Sequence, residues 1–211
     1  MALLEYENNL YKQGITLIAG VDEVGRGPLC GPVVAAACIL PKGYILEGLD
    51  DSKKLTEKKR DKYYDILLND CISYGVGIVE PKRIDEINIL EASKEAMRLA
   101  IENLNPKPEH VLIDAVKLNL DMPSTSIIKG DALSQSIAAA SVIAKVTRDR
   151  MMYDLDKKYP EYGYASHKGY PTKKHIEAVK QYGIKEFYRF TFSPISDLIR
   201  DESKERVGVN D

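Results

Sequence analysis

The chain is poor in cysteine and histidine and has no surplus of positive charge, and each shortage removes a class of function. Its three cysteines, Cys30, Cys38 and Cys71, are odd in number and form no Cys-x-x-Cys pair. Neither a disulfide framework nor a thiolate zinc site is therefore indicated. All three lie in or beside apolar runs and read as core thiols. Only three histidines, His110, His167 and His175, are available as imidazole general bases. The formal net charge over 211 residues is -2. Overall charge thus suggests no nucleic-acid partner, and any basic footprint must be local. The longest wholly apolar run, Val33 to Leu40, is far too short to span a membrane. Met1 to Asn9 carries two glutamates and no basic residue, unlike a signal peptide. The expectation is one domain over 1–211 with flexible ends at 1–14 and 201–211. It would act as a monomer in a reducing cytoplasm, with no membrane partner.

What the chain does have is an alternation of apolar strands and amphipathic helices. Ile15 to Val21 and Pro32 to Leu40 read as strands, with Gly25-Arg26-Gly27-Pro28 as the turn between them, so an antiparallel pair is predicted. Tyr74 to Val79, Val111 to Ile113 and Ser126 to Ile128 are further strand candidates. Helical spacing predicts Thr56 to Leu68 with Thr56 as cap, and one long helix from Ile84 to Leu104. It also predicts a helix over Ala132 to Tyr153, whose Ala138-Ala139-Ala140-Ser141 face is small enough to lie close to a sheet, and another over Thr172 to Tyr182. The polar tail from Asp201 is expected to fray. This mixture predicts an α/β domain with a mixed sheet.

Four acidic residues, Asp22, Glu23, Asp114 and Asp131, each follow an apolar run. Carboxylates gathered at neighbouring strand ends repel one another unless a cation lies between them. Oxygen donors without nearby Cys or His favour a hard ion, Mg²⁺ or Mn²⁺. Such a cluster suits two-metal phosphoryl chemistry, with ions roughly 3.5–4 Å apart. The alternative is that these residues are caps and turn formers, Asp131 capping the helix that follows. Adjacent strand residues point to opposite faces, so Asp22 and Glu23 enter one site only if the strand ends or bulges there, or if Glu23 works from an offset position.

Gly25-Arg26-Gly27 lets backbone amides approach a ligand. As a dinucleotide loop it lacks the third glycine at the required spacing, and Pro32 onward reads as a strand where a helix is needed. A helix there would point to a nicotinamide-dependent oxidoreductase. Two basic stretches, Lys53 to Arg60 and Lys145 to Lys174, are either solvated faces or arms that hold a phosphate backbone near the acids.

Val21-Asp22-Glu23-Val24-Gly25-Arg26-Gly27-Pro28 resembles the Asp-Glu-x-Gly-Arg-Gly signature of the ribonuclease HII family. Asp51-Ser52-Lys53-Lys54-Leu55, Ile113-Asp114, Lys129 to Asp149 and His167-Lys168-Gly169-Tyr170 resemble its later blocks, in family order, over roughly residues 17 to 195. The resemblance implies an RNase H-like fold: a central mixed five-stranded sheet flanked by helices, with a C-terminal helical extension. It implies a catalytic, metal-binding quartet at Asp22, Glu23, Asp114 and Asp131, holding two Mg²⁺ or Mn²⁺ ions in the reacting complex. Gly25, Arg26 and Gly27 would contact the ribose 2′-hydroxyl and adjacent phosphates, and Tyr170 would stack on the next sugar. Ser52, Lys53, Lys145, Arg148 and Lys168 are further expected substrate contacts. The implied activity is cleavage of RNA–DNA hybrids, and of duplex DNA 5′ to an embedded ribonucleotide, in ribonucleotide removal during replication and repair. Two other possibilities stand beside it: for Tyr170, a core tyrosine beside Pro171; for the whole chain, a nucleic-acid-binding module without catalysis. One block departs, since Tyr188 to Pro194 lacks the histidine and second arginine often found there, and Tyr188 and Phe190 receive no role. Only 21 residues precede Asp22, so the extra N-terminal domain of the sister family, ribonuclease HIII, is not expected.

Overall fold

The computed structural model describes residues 4–49, 52 and 54–207, with backbone alone for 202–207. Its centre is a five-stranded sheet of β1 (Ile18–Val24), β2 (Val33–Ile39), β3 (Ser73–Val79), β4 (His110–Asp114) and β5 (Ser124–Ile127). The strand order is β3-β2-β1-β4-β5. β1 and β2 are antiparallel, as are β2 and β3, whereas β1, β4 and β5 run parallel. The sheet is therefore mixed, as the sequence predicts. β1 runs through Asp22 and Glu23 rather than stopping before them, because pairing with β2 continues to Val24 opposite Val34.

Helices cover both faces. On one lies α3 (Pro81–Glu102), opened by a proline at its first position, where no amide partner is lost. The single long helix expected here is broken. Asn88 has φ 69 and ψ 164, and its side-chain oxygen accepts the N–H groups of Leu90 and Glu91, so it caps the second half. On the other face lie α2 (Glu57–Asp70), capped by Thr56, and α4 (Gln135–Lys158). α4 begins three residues later than predicted, because Ser134 rather than Asp131 caps it by accepting the Ile137 N–H. Residues Gly130–Ala132 form a 3₁₀ turn instead. The first half of α4 is buried on every side, as a helix apolar all round must be. Its approach to the sheet is backbone on backbone: a methyl group at Gly20 would lie 2.0 Å from the Ser136 carbonyl carbon.

The segment expected to be a loose N-terminal end carries α1 (Glu5–Lys12). Glu7 is buried, and its carboxylate accepts from Ser134 Oγ (2.6 Å) and from the Ser136 N–H (3.0 Å). It thus answers an amide that the start of α4 leaves unpaired, where helix polarity also favours an anion. At the other end, α5 (Tyr164–His167), α6 (Lys173–Tyr182) and α7 (Ile195–Val207) enclose a separate core of Leu29, Met152, Tyr162, Tyr164, Val179, Tyr188 and Ile195. This is the expected helical extension, and α7 continues past the point where fraying is predicted. Among the described residues no helix is long and apolar enough to cross a membrane.

Candidate active site

Parallel pairing brings the C-terminal ends of β1, β4 and β5 to one edge. Asp22 is near the end of β1, Asp114 ends β4, and Asp131 sits in the turn after β5. One carboxylate oxygen from each lies within 4.8 Å of the other two. The turn is tied to its neighbour, since Gly130 N–H donates to Asp114 Oδ1 (2.7 Å) and its carbonyl accepts from Ser134 N–H (2.8 Å). Non-glycine residues with left-handed φ also gather here. Ala115 (φ 52) follows Asp114, Lys129 (φ 58) precedes the Asp131 turn, and Lys168 (φ 51) precedes Tyr170. Such residues cost on the order of 1 kcal/mol each and collect where geometry serves a site.

Glu23 stands apart from the three aspartates. Because β1 is regular, Asp22 faces α4 and Glu23 faces the opposite side, the offset arrangement left open by the sequence. Glu23 lies beside Arg26 (3.4 Å), yet it lines the same cleft as Asp22. Burial, then the charges of Glu23 and Asp114, push the Asp22 carboxyl well above its usual range, against hydrogen bonds from Ser141 and from the Glu23 N–H. Burial also raises Glu23, with Asp114 adding to it and Arg26 opposing. Crowded carboxylates whose charged forms are this disfavoured fit a divalent cation, and a site of oxygen donors alone fits Mg²⁺ or Mn²⁺.

The cleft of about 290 Å³ is lined by Asp22, Glu23, Val24, Ser52, Arg60, Ser141, Lys145 and Tyr170. Ser141 Oγ lies 2.9 Å from the Ser52 hydroxyl, and Arg60 donates to the Ser52 carbonyl (3.0 Å). Lys145 Nζ is 2.7 Å from Asp149, which also faces Arg60 at 3.9 Å. Burial lowers the Lys145 amine despite Asp149. Tyr170 is 41% exposed, so it is no core tyrosine, and its ring lies 3.3 Å from where a methyl group on Gly27 would be.

Two expected contacts are not where the sequence puts them. Arg148 is fully buried, and its guanidinium donates to the carbonyls of Cys30, Pro32 and Lys168, so it cannot reach a substrate. Lys168 packs over the Tyr153 ring at 4.0 Å, donates to the Ala165 carbonyl, and does not line the cleft. Lys53 lies outside the described residues. After Gly27 the chain enters a strand, not a helix, which removes the dinucleotide-loop alternative.

The histidines are structural. His167 and His175 stack with centroids 4.2 Å apart, bonded to the carbonyls of Tyr162 and Tyr170. Tyr188, in the divergent block, is buried with its hydroxyl 2.8 Å from both Tyr164 Oη and His175 Nε2. The residues missed by sequence reasoning are Ser141, Arg60 and Arg189. The first two lay inside motifs already singled out. Arg189 carried no signal beyond its place in that block.

A family model described as Ribonuclease HII matches residues 19–194. A ribonuclease HII from Bacillus cytotoxicus is 58% identical over 202 residues, covering 96% of this chain and 78% of that protein. The crystal structure of ribonuclease H2 from Pyrococcus horikoshii superposes with a TM-score of 0.74 at 33% identity, covering 85% of this chain and 95% of that one. A Bst-RNase HIII in complex with Mn²⁺ shares the fold, with a TM-score of 0.65 at 16% identity over 90% of this chain and 71% of that one.

Proposed function

The chain belongs to the ribonuclease HII family and is a ribonuclease H endonuclease acting on RNA–DNA hybrids, and on that premise we propose that it also cuts duplex DNA 5′ to a single embedded ribonucleotide. The observation that carries this reading is the meeting of the Asp22, Asp114 and Asp131 carboxylates, at the ends of parallel strands, beside the Gly25-Arg26-Gly27 turn and the exposed Tyr170 ring.

Asp22, Asp114 and Asp131 are the residues that would hold Mg²⁺ or Mn²⁺, with Glu23, which lines the cleft beside Asp22, as the fourth ligand of a two-ion site. When bound, such ions supply Lewis acidity toward the scissile phosphate and make a water molecule more acidic. The protein's own groups position the substrate. The turn's amides and Tyr170 face the ribonucleotide and its neighbour, while Arg26, half exposed and beside Glu23, can reach a flanking phosphate. Ser52 and Lys145 line the cleft where the backbone enters. Water attacks phosphorus in line, the bond from phosphorus to the 3′-oxygen breaks, and the products carry 5′-phosphate and 3′-hydroxyl ends. No histidine among the described residues lines this cleft to activate the 2′-hydroxyl as a nucleophile. We place the protein in the cytoplasm as a single-domain monomer engaged in ribonucleotide removal during replication and repair.

The deciding experiment digests duplex DNA bearing one ribonucleotide, with and without Mg²⁺, and analyses the ends. Mg²⁺-dependent cutting on the 5′ side with a free 3′-hydroxyl is expected. A 2′,3′-cyclic phosphate, or cutting without added metal, overturns the mechanism.

A further inference from the structure

The loop from Gly25 to Pro32 is held from beneath by two buried arginines that come from far along the chain. Arg189 donates to the carbonyls of Gly25 (2.6 Å), Arg26 (2.9 Å) and Gly31 (2.9 and 3.1 Å). Arg148 donates to those of Cys30 (3.2 Å), Pro32 (3.0 Å) and Lys168 (3.0 Å). Both side chains are fully buried, and every hydrogen bond they donate goes to a main-chain carbonyl. Among the described residues neither guanidinium forms an ion pair with a carboxylate.

Burying a cation without an anion is expensive, by several kcal/mol even after relaxation. A loop that needed only to be closed could be held by neutral donors. Two guanidinium forks do something neutral donors cannot: they draw a whole run of carbonyl dipoles to one side. The other side of the loop shows the result. Among the described residues the N–H groups of Gly25, Arg26 and Gly27 make no hydrogen bond within the protein. Glycine is required where the loop rests on the arginines, since Gly25 has φ +93 and a methyl group there would lie 2.3 Å from Arg148 Nε. The bond from Arg148 to the Lys168 carbonyl, with that from Leu29 N–H to Gly169 (2.8 Å), also sets the loop against the segment carrying Tyr170.

We propose that Arg148 and Arg189 are positioning residues for ribonucleotide recognition: by taking the loop's carbonyls they aim the amides of Gly25, Arg26 and Gly27 outward as a fixed row of donors. The buried charges, which Asp149 and Asp85 offset only from beyond salt-bridge distance, also give that row a positive backing toward a substrate phosphate. The proposal rests on the reading that this turn meets the ribose, and its test separates the two.

Arg189→Lys keeps the charge and loses the fork. Binding is measured, with Ca²⁺ in place of Mg²⁺, to a duplex with one ribonucleotide and to the same duplex in all-DNA form. The wild type should prefer the first. Arg189→Lys should lose that preference by about tenfold, a shift of one decade in the dissociation constant, while its affinity for the all-DNA duplex and the salt dependence of that affinity stay within about twofold. A merely structural lysine substitution would weaken both duplexes equally. Preference unchanged, or both affinities falling together, overturns the proposal. A wild type with no preference overturns the functional reading instead. If Arg189→Lys does not fold, Arg148→Lys takes the same assay. Amide relaxation on the wild type stands independently: Gly25, Arg26 and Gly27 should show order parameters near 0.85, and values below about 0.6 would refute a preset row of donors.

Discussion

Replacing Gly20 by alanine adds one methyl group and tests how the acidic site is assembled. That methyl carbon would sit 2.0 Å from the Ser136 carbonyl carbon and 2.2 Å from both the Ser136 oxygen and the Ile137 nitrogen. Ordinary contact begins at 3.4 Å, so β1 and the start of α4 must part by about 1.4 Å, the difference between 3.4 and 2.0. The obstructing atoms are backbone, and no change of rotamer relieves them. Overpacking a core costs about 1–3 kcal/mol, and this case belongs at the upper end, roughly 3 kcal/mol. For a chain of this size that lowers the melting temperature by about 6–12 °C. Activity should suffer more. Asp22 lies two residues beyond Gly20, and Asp131 is coupled to the start of α4 through the Ser134 to Gly130 hydrogen bond. Displacing one carboxylate from the other by about 1 Å is expected to slow turnover by roughly a hundredfold. Calorimetry and Mg²⁺-dependent hydrolysis of an RNA–DNA hybrid measure both effects. A Gly20→Ala protein melting within 2 °C of the parent, with turnover within about threefold, would refute the claim that helix–strand contact sets the site.

Asp22→Asn should raise the melting temperature of metal-free protein at neutral pH, because burial and neighbouring charges disfavour the ionised form there, while turnover falls by on the order of 10²–10³ with the loss of a metal ligand; a variant of undiminished Mg²⁺-dependent activity ends the assignment. Burial lowers His175 to about 4, so it stays neutral in the fold while the unfolded chain takes up a proton near 6.5. The stability this neutral form contributes is therefore complete above pH 6.5 and drains away, at about 1 kcal/mol per pH unit, as pH falls toward 4. Denaturant titrations across that range should show His175→Asn with a shallower slope, and an unchanged slope counts against the burial argument. Tyr170→Ala should harm cleavage at a lone ribonucleotide far more than cleavage of a long hybrid; equal losses on the two substrates would mean that the ring does not read the junction.

The acidic cluster and the sheet were legible in the sequence because both rest on local signals, apolar runs of strand length and acids placed directly after them. Three signals misled. Asp22 and Glu23 read as residues beyond a strand, but cross-strand pairing holds them inside it, and the two therefore point to opposite faces. The helix after Asp131 reads as starting at Ala132, but Ser134 is the residue that caps it and the helix starts at Gln135, which leaves Asp131 in the acidic cluster rather than in the alternative role of a cap. Arg148 read as a phosphate contact because it stands in a basic run, and a charge pattern carries no record of which face is buried. Arg189 could not be found locally at all, since its partners are carbonyls more than 150 residues away in sequence. The capping of α4 by Glu7 was equally hidden, being a contact across 127 residues.

The grip of Arg189 on the Gly25 loop also has a meaning in time. The two bonded residues Arg26 and Arg189 are 163 positions apart. At a synthesis rate of about 5–20 residues per second, roughly 8–33 s pass on the ribosome between them. Throughout that interval the loop is already made, and so, for its later part, are all three clustered aspartates, yet the carbonyls of Gly25, Arg26 and Gly31 lack the Arg189 guanidinium that holds them in the fold. On the reading proposed above, the acidic cluster is translated before the side chain that orders the Gly25 loop, and the loop gains that support only after residue 189 has emerged.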